Sequence, residues 1–360
     1  MTKKELFELQ GKMPDPEVYT KIKQNWDALA KPIDGLGVFE EIHCRIGAIR
    51  RECHPDLSKK ELLILCADNG VVAEGVTQTG QKVTAQVASL MAKGKSTVGV
   101  MAKNYPLSIV PVDIGINGMQ ETEGLLYRKV ASGTEDFLRG PAMTEEQCLA
   151  AIEIGMELVR DAKQREVGLV LTGEMGIGNT TTSTALFCAL TGTNPEEVTG
   201  RGAGLDDAGL QKKKAVIKEA LRFHNLTESD RSFSREAAFE ALCRVGGLDL
   251  AGMAGIFLGG MQCGLPVVID GLISAVAALT AELLLPGCKA FMIASHAGKE
   301  QGCQRVLKLL GLRSVIDAQM ALGEGTGALL LLPMLDMVFA LYEEGTDFAD
   351  TEIAEYKRLG

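Results

Sequence analysis

LVLTGEMGIGNTTTSTAL, residues Leu169–Leu186, decides the fold of this chain. The short apolar run from Val167 to Leu171 has the length of a buried strand, and it stops at Gly173. Apolar spacing resumes from Ala185 in a helical pattern. Between the two lie Gly173, Gly176 and Gly178, then Asn179 and the hydroxyls of Thr180, Thr181, Thr182 and Ser183. Glycines let a backbone approach a ligand closely, and the N–H groups at a helix start favour an anion. The stretch therefore reads as a phosphate-holding turn with the Glu174 carboxylate beside it, or as an empty Gly-rich strand-to-helix turn. It is neither a P-loop, which needs GxxxxGK[ST], nor the dinucleotide GxGxxG.

Outward from this turn the pattern repeats. Leu62–Cys66, Ser108–Val112, Pro266–Ile269 and Lys289–Ala294 read as short strands. Phe39–Ile49, Val83–Ala102, Glu145–Lys163, a stretch from about Leu210, and Ala251–Met261 read as helices. Thr144 with Gln147 three residues on predicts a capping box at the third of these. Short strands alternating with longer helices predict an α/β fold, a parallel Rossmann-like sheet with helices on both faces. Asp68, Asp113, Glu174, Asp270 and Ser295 all fall just after strands, on the ligand edge of such a sheet. Both chain ends read as helical and without strands. The expected division is a large α/β domain over 60–320 and a small helical domain from 1–59 with 321–360.

A net charge of -10 argues against a nucleic-acid groove, which needs clustered Lys and Arg. The nine cysteines form no CxxC pair, as for reduced, buried thiols. Four histidines with no ligand spacing predict no protein-built metal site. Two strongly apolar stretches, Leu265–Pro286 and Ala328–Leu341, are interrupted by Asp270, Gly271 and Glu282 and by Pro333 and Asp336. Both read as core rather than membrane spans. The polar N-terminus is unlike a signal peptide, so a soluble, cytoplasmic protein is expected.

Several residues could carry chemistry. Glu324 stands in Gly323-Glu324-Gly325-Thr326-Gly327, before an apolar run. It is either a proton acceptor or a negative charge favouring the next helix start. Lys213 could reach an anion, although Lys212, Lys213 and Lys214 together also suit a solvated face. Asp206 and Asp207 could bind a ribose hydroxyl or cap a helix. Asp68 and Asp270 could orient loops through backbone N–H groups, and His296 could be a base or a structural histidine.

Taken in order, KPIDGLG (31–37), ADNGVVAEGV (67–76), GTEDFLRGPAMT (133–144), TGEMGIGNTT (172–181), TGRGAGLDD (199–207), GGLDLAGMAG (246–255), PVVIDGLISA (266–275) and LGEGTGALL (322–330) resemble one family throughout. It is the nicotinate-nucleotide–dimethylbenzimidazole phosphoribosyltransferase family of cobalamin lower-ligand assembly, and the resemblance runs from about Ile22 to about Leu341. It implies transfer of the phosphoribosyl group of nicotinate mononucleotide to a benzimidazole-type base with inversion. The products would be alpha-ribazole 5'-phosphate and nicotinate, and no cofactor takes part. It also implies a homodimer. By motif, Glu324 resembles the general base, with Glu174 and Lys213 as supporting catalytic partners. Gly176, Gly178, Asn179, Thr180, Gly202, Asp270 and Ser295 resemble the holders of phosphate and ribose. Val76, Thr77, Thr79 and Gln86 resemble the base pocket.

Four departures from the family pattern bear on the acceptor. Asn69 stands where His is common, Thr77-Gln78-Thr79-Gly80 replaces a Ser-x-Tyr-Pro segment, and Asp34-Gly35 replaces Gly-Ser. Asp136 also stands where Asn is typical. The acceptor could thus be another benzimidazole or a purine. A non-catalytic nucleotide-binding protein that kept the phosphate turn is the competing reading.

Overall fold

Strand β1 (Lys60–Ala67) is buried at all eight positions, and its side chains alternate between two cores. Leu63, Leu65 and Ala67 face one apolar cluster, while Leu62, Ile64 and Cys66 face the other. A strand covered on both faces favours a continuous apolar run, which is why Leu62–Ala67 shows no polar alternation, while the buried charges of Lys60 and Glu61 at its start pair with Asp336 and Arg165. The computed structural model describes residues 1–227 and 234–358. Residues 359 and 360 of the expected small domain, and 228–233 of the expected large one, lie outside the described residues.

Around β1 lie β2 (Ser108–Gly115), β3 (Leu126–Tyr127), β4 (Leu169–Met175), β5 (Val267–Ile269) and β6 (Met292–Ala294). They form a sheet of order β3-β2-β1-β4-β5-β6 in which every described pair is parallel. The chain starts at β1 in the middle and reverses its outward direction between β1 and β4. That reversal opens a crevice at the carboxyl ends of those two strands. A separate parallel pair joins β7 (His296–Gly298) to β8 (Ile316–Met320).

Helices Glu145–Gln164, Leu248–Cys263 and Leu272–Leu284 help cover one face. The first carries the expected capping box between Thr144 and Gln147. Its contact with Leu248–Cys263 is backbone to backbone: a Cβ on Gly155 would lie 2.0 Å from the Gly252 carbonyl oxygen. Helices Val38–Arg50, Lys82–Ala92 and Thr326–Glu344 help cover the other face. The last is long and apolar enough to cross a membrane, but Ala328, Leu329, Leu331, Leu332 and Leu335 are buried against the sheet. A third cluster, containing Ile22, Trp26, Leu29, Cys44, Val338 and Tyr342, ties helix Pro16–Ala28 to that same helix. Trp26 Nε1 donates to His43 Nδ1 at 3.0 Å inside it. All nine cysteines are free.

Several elements differ from the sequence expectation. Strand β4 runs on to Met175, and the helix after it, Asn179–Thr191, starts six residues before Ala185. Its hydroxyl-rich first turns are helical because Thr182 bonds back to the Asn179 carbonyl at 3.0 Å and Thr184 to Thr180 at 2.7 Å. The stretch Val83–Ala102 is two helices, Lys82–Ala92 and Thr97–Met101. Gly94 turns left-handed between them, and Ser96 caps the second by accepting from Gly99 N at 3.3 Å. Lys289 to Phe291 belongs to a tight 3₁₀ turn, so β6 is confined to Met292–Ala294. Strands β3 and β8 gave no signal, the first because it has two residues and the second because IDAQM is largely exposed.

Candidate active site

An open cavity of about 250 Å³ occupies the crevice at the carboxyl ends of β4 and β5. Glu174, Gly176, Gly178, Asn179, Thr180, Gly202, Asp270 and Glu324 line it, with Val76, Thr77 and Thr79 on one wall. Residues about 150 apart in sequence thus face one space.

The Glu324 loop is built on strain and tied down. Gly323, Glu324 and Gly325 are all left-handed, with φ of +91°, +59° and +79°. A non-glycine residue holds that conformation only where its surroundings over-determine it. Here Asp270 supplies most of the restraint, accepting from Gly325 N at 3.2 Å, Gly327 N at 2.8 Å and Ala328 N at 3.0 Å. Glu324 N donates to the Glu174 carbonyl oxygen at 3.3 Å, so the loop continues from the end of β4. Gly173 permits this approach, since a Cβ there would lie 2.9 Å from Glu324 C and Gly325 N. The Glu324 carboxylate accepts from Val98 N at 3.1 Å through Oε2.

Glu174 is buried and accepts from Asn179 Nδ2, which also donates to Asp249 Oδ2 at 3.2 Å. Burial, then the neighbouring Asp249 charge, pushes the Glu174 carboxyl up to about 8. Burial likewise raises Asp249 to about 6 and Asp270 to about 7, the latter against the pull of its backbone N–H donors. Glu174 and Asp270 therefore bring carboxyls in low dielectric to the cavity wall, with Asp249 behind Asn179.

Lys213 is the cation behind it. It lies on helix Asp207–Phe223, whose start is capped by Asp206 accepting from Gly209 N at 2.7 Å. Only the middle lysine of the run turns inward. Lys213 is 1% exposed, and its Nζ donates to Thr180 Oγ1 at 2.8 Å and to the Gly200 carbonyl at 3.2 Å. Lys214 instead pairs with Glu196 at 3.0 Å. Burial lowers the Lys213 ammonium to about 8, which leaves it charged at neutral pH. Gly178, left-handed at φ +96°, opens helix Asn179–Thr191 with no side-chain cap. Asn179 N and Thr181 N bond the Gly176 and Gly178 carbonyls, so among the described residues the Thr180 N–H is the first-turn donor left open to an anion.

Other expected site residues have different partners. Asp270 is committed to the Glu324 loop rather than left open to ribose. Asn179 is committed to Glu174 and Asp249, and its own N–H donates to Gly176 O at 3.1 Å. Ser295 is fully buried outside the cavity lining, and its Oγ donates to the Ile269 carbonyl at 2.7 Å, joining β5 to β6. Gln86 is exposed and outside the lining, while Val87, next in sequence, is on the wall. Asp68 and Asp113 accept from Asn117 N and Ile116 N, each at 2.8 Å, as loop anchors. His296 is buried under the Glu324 loop: a Cβ on Gly327 would come within 1.9 Å of its Nδ1. Burial lowers its pKa, so it is neutral. Arg201 and Glu300 also line the cavity. The TGRGAGLDD motif pointed to the first, but no spacing in the sequence pointed to the second. Among the described residues no group of three or more His, Cys, Asp or Glu is arranged to hold a metal ion.

A family model described as Phosphoribosyltransferase matches residues 12–353. The nicotinate-nucleotide–dimethylbenzimidazole phosphoribosyltransferase of Acetivibrio thermocellus is 38% identical over 336 residues, covering 93% of this chain and 94% of that protein. The protein of the same name from Clostridium acetobutylicum is 39% identical over 346 residues, 96% of each chain. The crystal structure of CobT from Thermus thermophilus superposes with a TM-score of 0.87 at 35% identity, covering 95% of this chain and 100% of that one.

Proposed function

This chain belongs to the nicotinate-nucleotide–dimethylbenzimidazole phosphoribosyltransferase family, and from that premise we propose that it moves the phosphoribosyl group of nicotinate mononucleotide to a benzimidazole-type base. The transfer inverts the anomeric carbon and gives alpha-ribazole 5'-phosphate and nicotinate for the cobalamin lower ligand. The observation that carries this reading is the meeting of Glu174, Glu324 and the uncapped helix start at Gly178 around one cavity.

The chemistry asks little of a protein acid. The ribose leaves a pyridinium nitrogen, so the nicotinate ring departs neutral and takes no proton. The incoming imidazole attacks from the opposite face and sheds a proton from its other nitrogen. Glu324 is the base for that proton: Val98 holds one carboxylate oxygen, and among the described residues none donates to the other. A positioned base contributes ~10²- to 10⁴-fold. Glu174, its carboxyl raised to about 8 by burial, supports the site as a neutral hydrogen-bonding group beside the ribose rather than as a full negative charge. Lys213, Thr180, Gly202, Gly176 and the start of helix Asn179–Thr191 hold the phosphate, while Val76, Thr77 and Thr79 face the base. In this reading residues 1–59 with 321–360 make a small helical domain that completes the site, and the enzyme works as a cytoplasmic homodimer.

A purine acceptor is the second reading, and the polar wall of Thr77, Gln78 and Thr79 supports it. One experiment tests both: purified protein is given nicotinate mononucleotide with a panel of benzimidazoles and purines, and nicotinate is measured. Release only in the presence of an azole base is expected. Release without a base, or none with any base, overturns the proposal.

A further inference from the structure

The cavity wall carries four carboxylates, from Glu174, Asp270, Glu300 and Glu324, and three of them are already engaged by the protein. Glu174 takes the Asn179 amide, Asp270 takes three backbone N–H groups, and Glu324 takes the Val98 N–H. Glu300 differs. It stands at the start of helix Gln301–Leu310, yet its side chain does not cap that helix. Its own backbone N–H lies against the carboxylate, but among the described residues no other residue donates a hydrogen bond to that carboxylate, and it makes no ion pair. It is half-buried on the wall, so solvent does not fully replace the missing donors.

Its place relative to the phosphate-side cation is fixed by Gly200. A Cβ on Gly200 would lie 2.9 Å from Glu300 Cγ, and the carbonyl of the same residue accepts from Lys213 Nζ at 3.2 Å. Burial raises the Glu300 carboxyl, and the charge of Lys213 pulls it back down. An acceptor-only group one residue away from the anchor of a phosphate-facing lysine calls for neutral donors. A second anion is excluded there by repulsion. The part of a nucleotide that offers neutral donors next to its phosphate is the ribose diol, and carboxylates hold such hydroxyls in other nucleotide sites.

We propose that Glu300 accepts hydrogen bonds from the ribose hydroxyls of the donor nucleotide and makes this enzyme discriminate ribose from deoxyribose. The inference rests on the phosphoribosyl-transfer reading and adds a specificity residue to it. A hydroxyl bonded to a charged partner is worth ~10- to 100-fold in kcat/KM.

The test compares nicotinate mononucleotide with its 2'-deoxy and 3'-deoxy analogues in the wild-type enzyme, Glu300→Ala and Glu300→Gln. The wild type should lose ~10- to 100-fold on at least one analogue. Glu300→Ala should lose a similar factor on the ribose substrate and no longer distinguish it from that analogue. Glu300→Gln keeps the shape, remains a weaker neutral acceptor and should fall between the two, which covers the case in which the alanine variant fails to fold. Equal use of ribose and deoxyribose substrates by the wild type, or undiminished discrimination by both variants, overturns the inference. If no base supports transfer, the transfer reading fails by itself, and calorimetric binding of the same three nucleotides decides the role of Glu300. Binding without discrimination, or no binding, then overturns it as well.

Discussion

Replacing Gly173 by alanine moves the proposed base without altering any charged group. The added Cβ would sit 2.9 Å from Glu324 C and Gly325 N and 3.0 Å from Glu324 O. All three are backbone atoms and cannot rotate aside. Ordinary carbon contacts lie at about 3.5–4 Å, so the loop must retreat by roughly 0.5–1 Å. The three N–H bonds to Asp270 resist that retreat at the other end of the loop. Overpacking of this kind costs about 1–3 kcal/mol of stability. A shift near 1 Å in a catalytic group costs on the order of 10²-fold in rate. We therefore expect Gly173→Ala to fold with a modestly lower melting temperature and to bind nicotinate mononucleotide nearly as the wild type does. Its kcat should fall by one to two orders of magnitude, roughly. The assay is nicotinate release at saturating base, beside calorimetric binding of the nucleotide. A kcat within about threefold of wild type would show that the position of the Glu324 loop does not limit the reaction, and would refute the reasoning.

Two further substitutions separate the glutamates. Glu324→Gln keeps an acceptor for Val98 N–H and so keeps the loop, but it removes the base; kcat should drop ~10²- to 10⁴-fold with nucleotide binding retained, and near-normal turnover would exclude Glu324 as the base. Glu174 carries a folded-state pKa raised from 4.5 to about 8, so the native state binds its proton more tightly than the unfolded chain does. The sign follows: wild-type stability from this group is lost as pH rises from about 4.5 through 8. Glu174→Gln should therefore gain stability over wild type across that window, towards a ceiling of about 5 kcal/mol at ~1.36 kcal/mol per unit. Urea titrations at pH 5, 6.5 and 8 measure the difference, and a gap that stays constant or narrows with rising pH would contradict the assignment.

Much of the architecture was legible because it follows from local rules. The apolar run Leu62–Cys66 within a strand buried on both faces, a Thr144–Gln147 capping box and helices of regular spacing need no distant partner to be recognised. The start of helix Asn179–Thr191 was misplaced because threonine runs disfavour helix unless their hydroxyls bond back to the preceding turn, and that depends on burial. Strand β8 was invisible because its exposed residues are ordered by pairing with β7 and not by an apolar pattern of their own.

For the site, the sequence by itself determined which turns could hold an anion and which glutamates stand in glycine loops. It left open whether Glu324 was a base or a helix-start charge, and whether Lys213 or its neighbours turned inward. Only the tertiary structure decided that Glu324 is left-handed, joined to Glu174 and held by Asp270, and that Lys213 alone of its run is buried against Thr180. It also showed Asn179, Asp270 and Ser295 bonded to groups of the protein itself. The physical reason is that a carboxylate or amide can bond a ligand or a backbone N–H with equal chemistry. Which of these it does depends on which groups the sheet topology brings within about 3 Å, and residues as far apart in the chain as Val98 and Glu324 share no local pattern that could announce it.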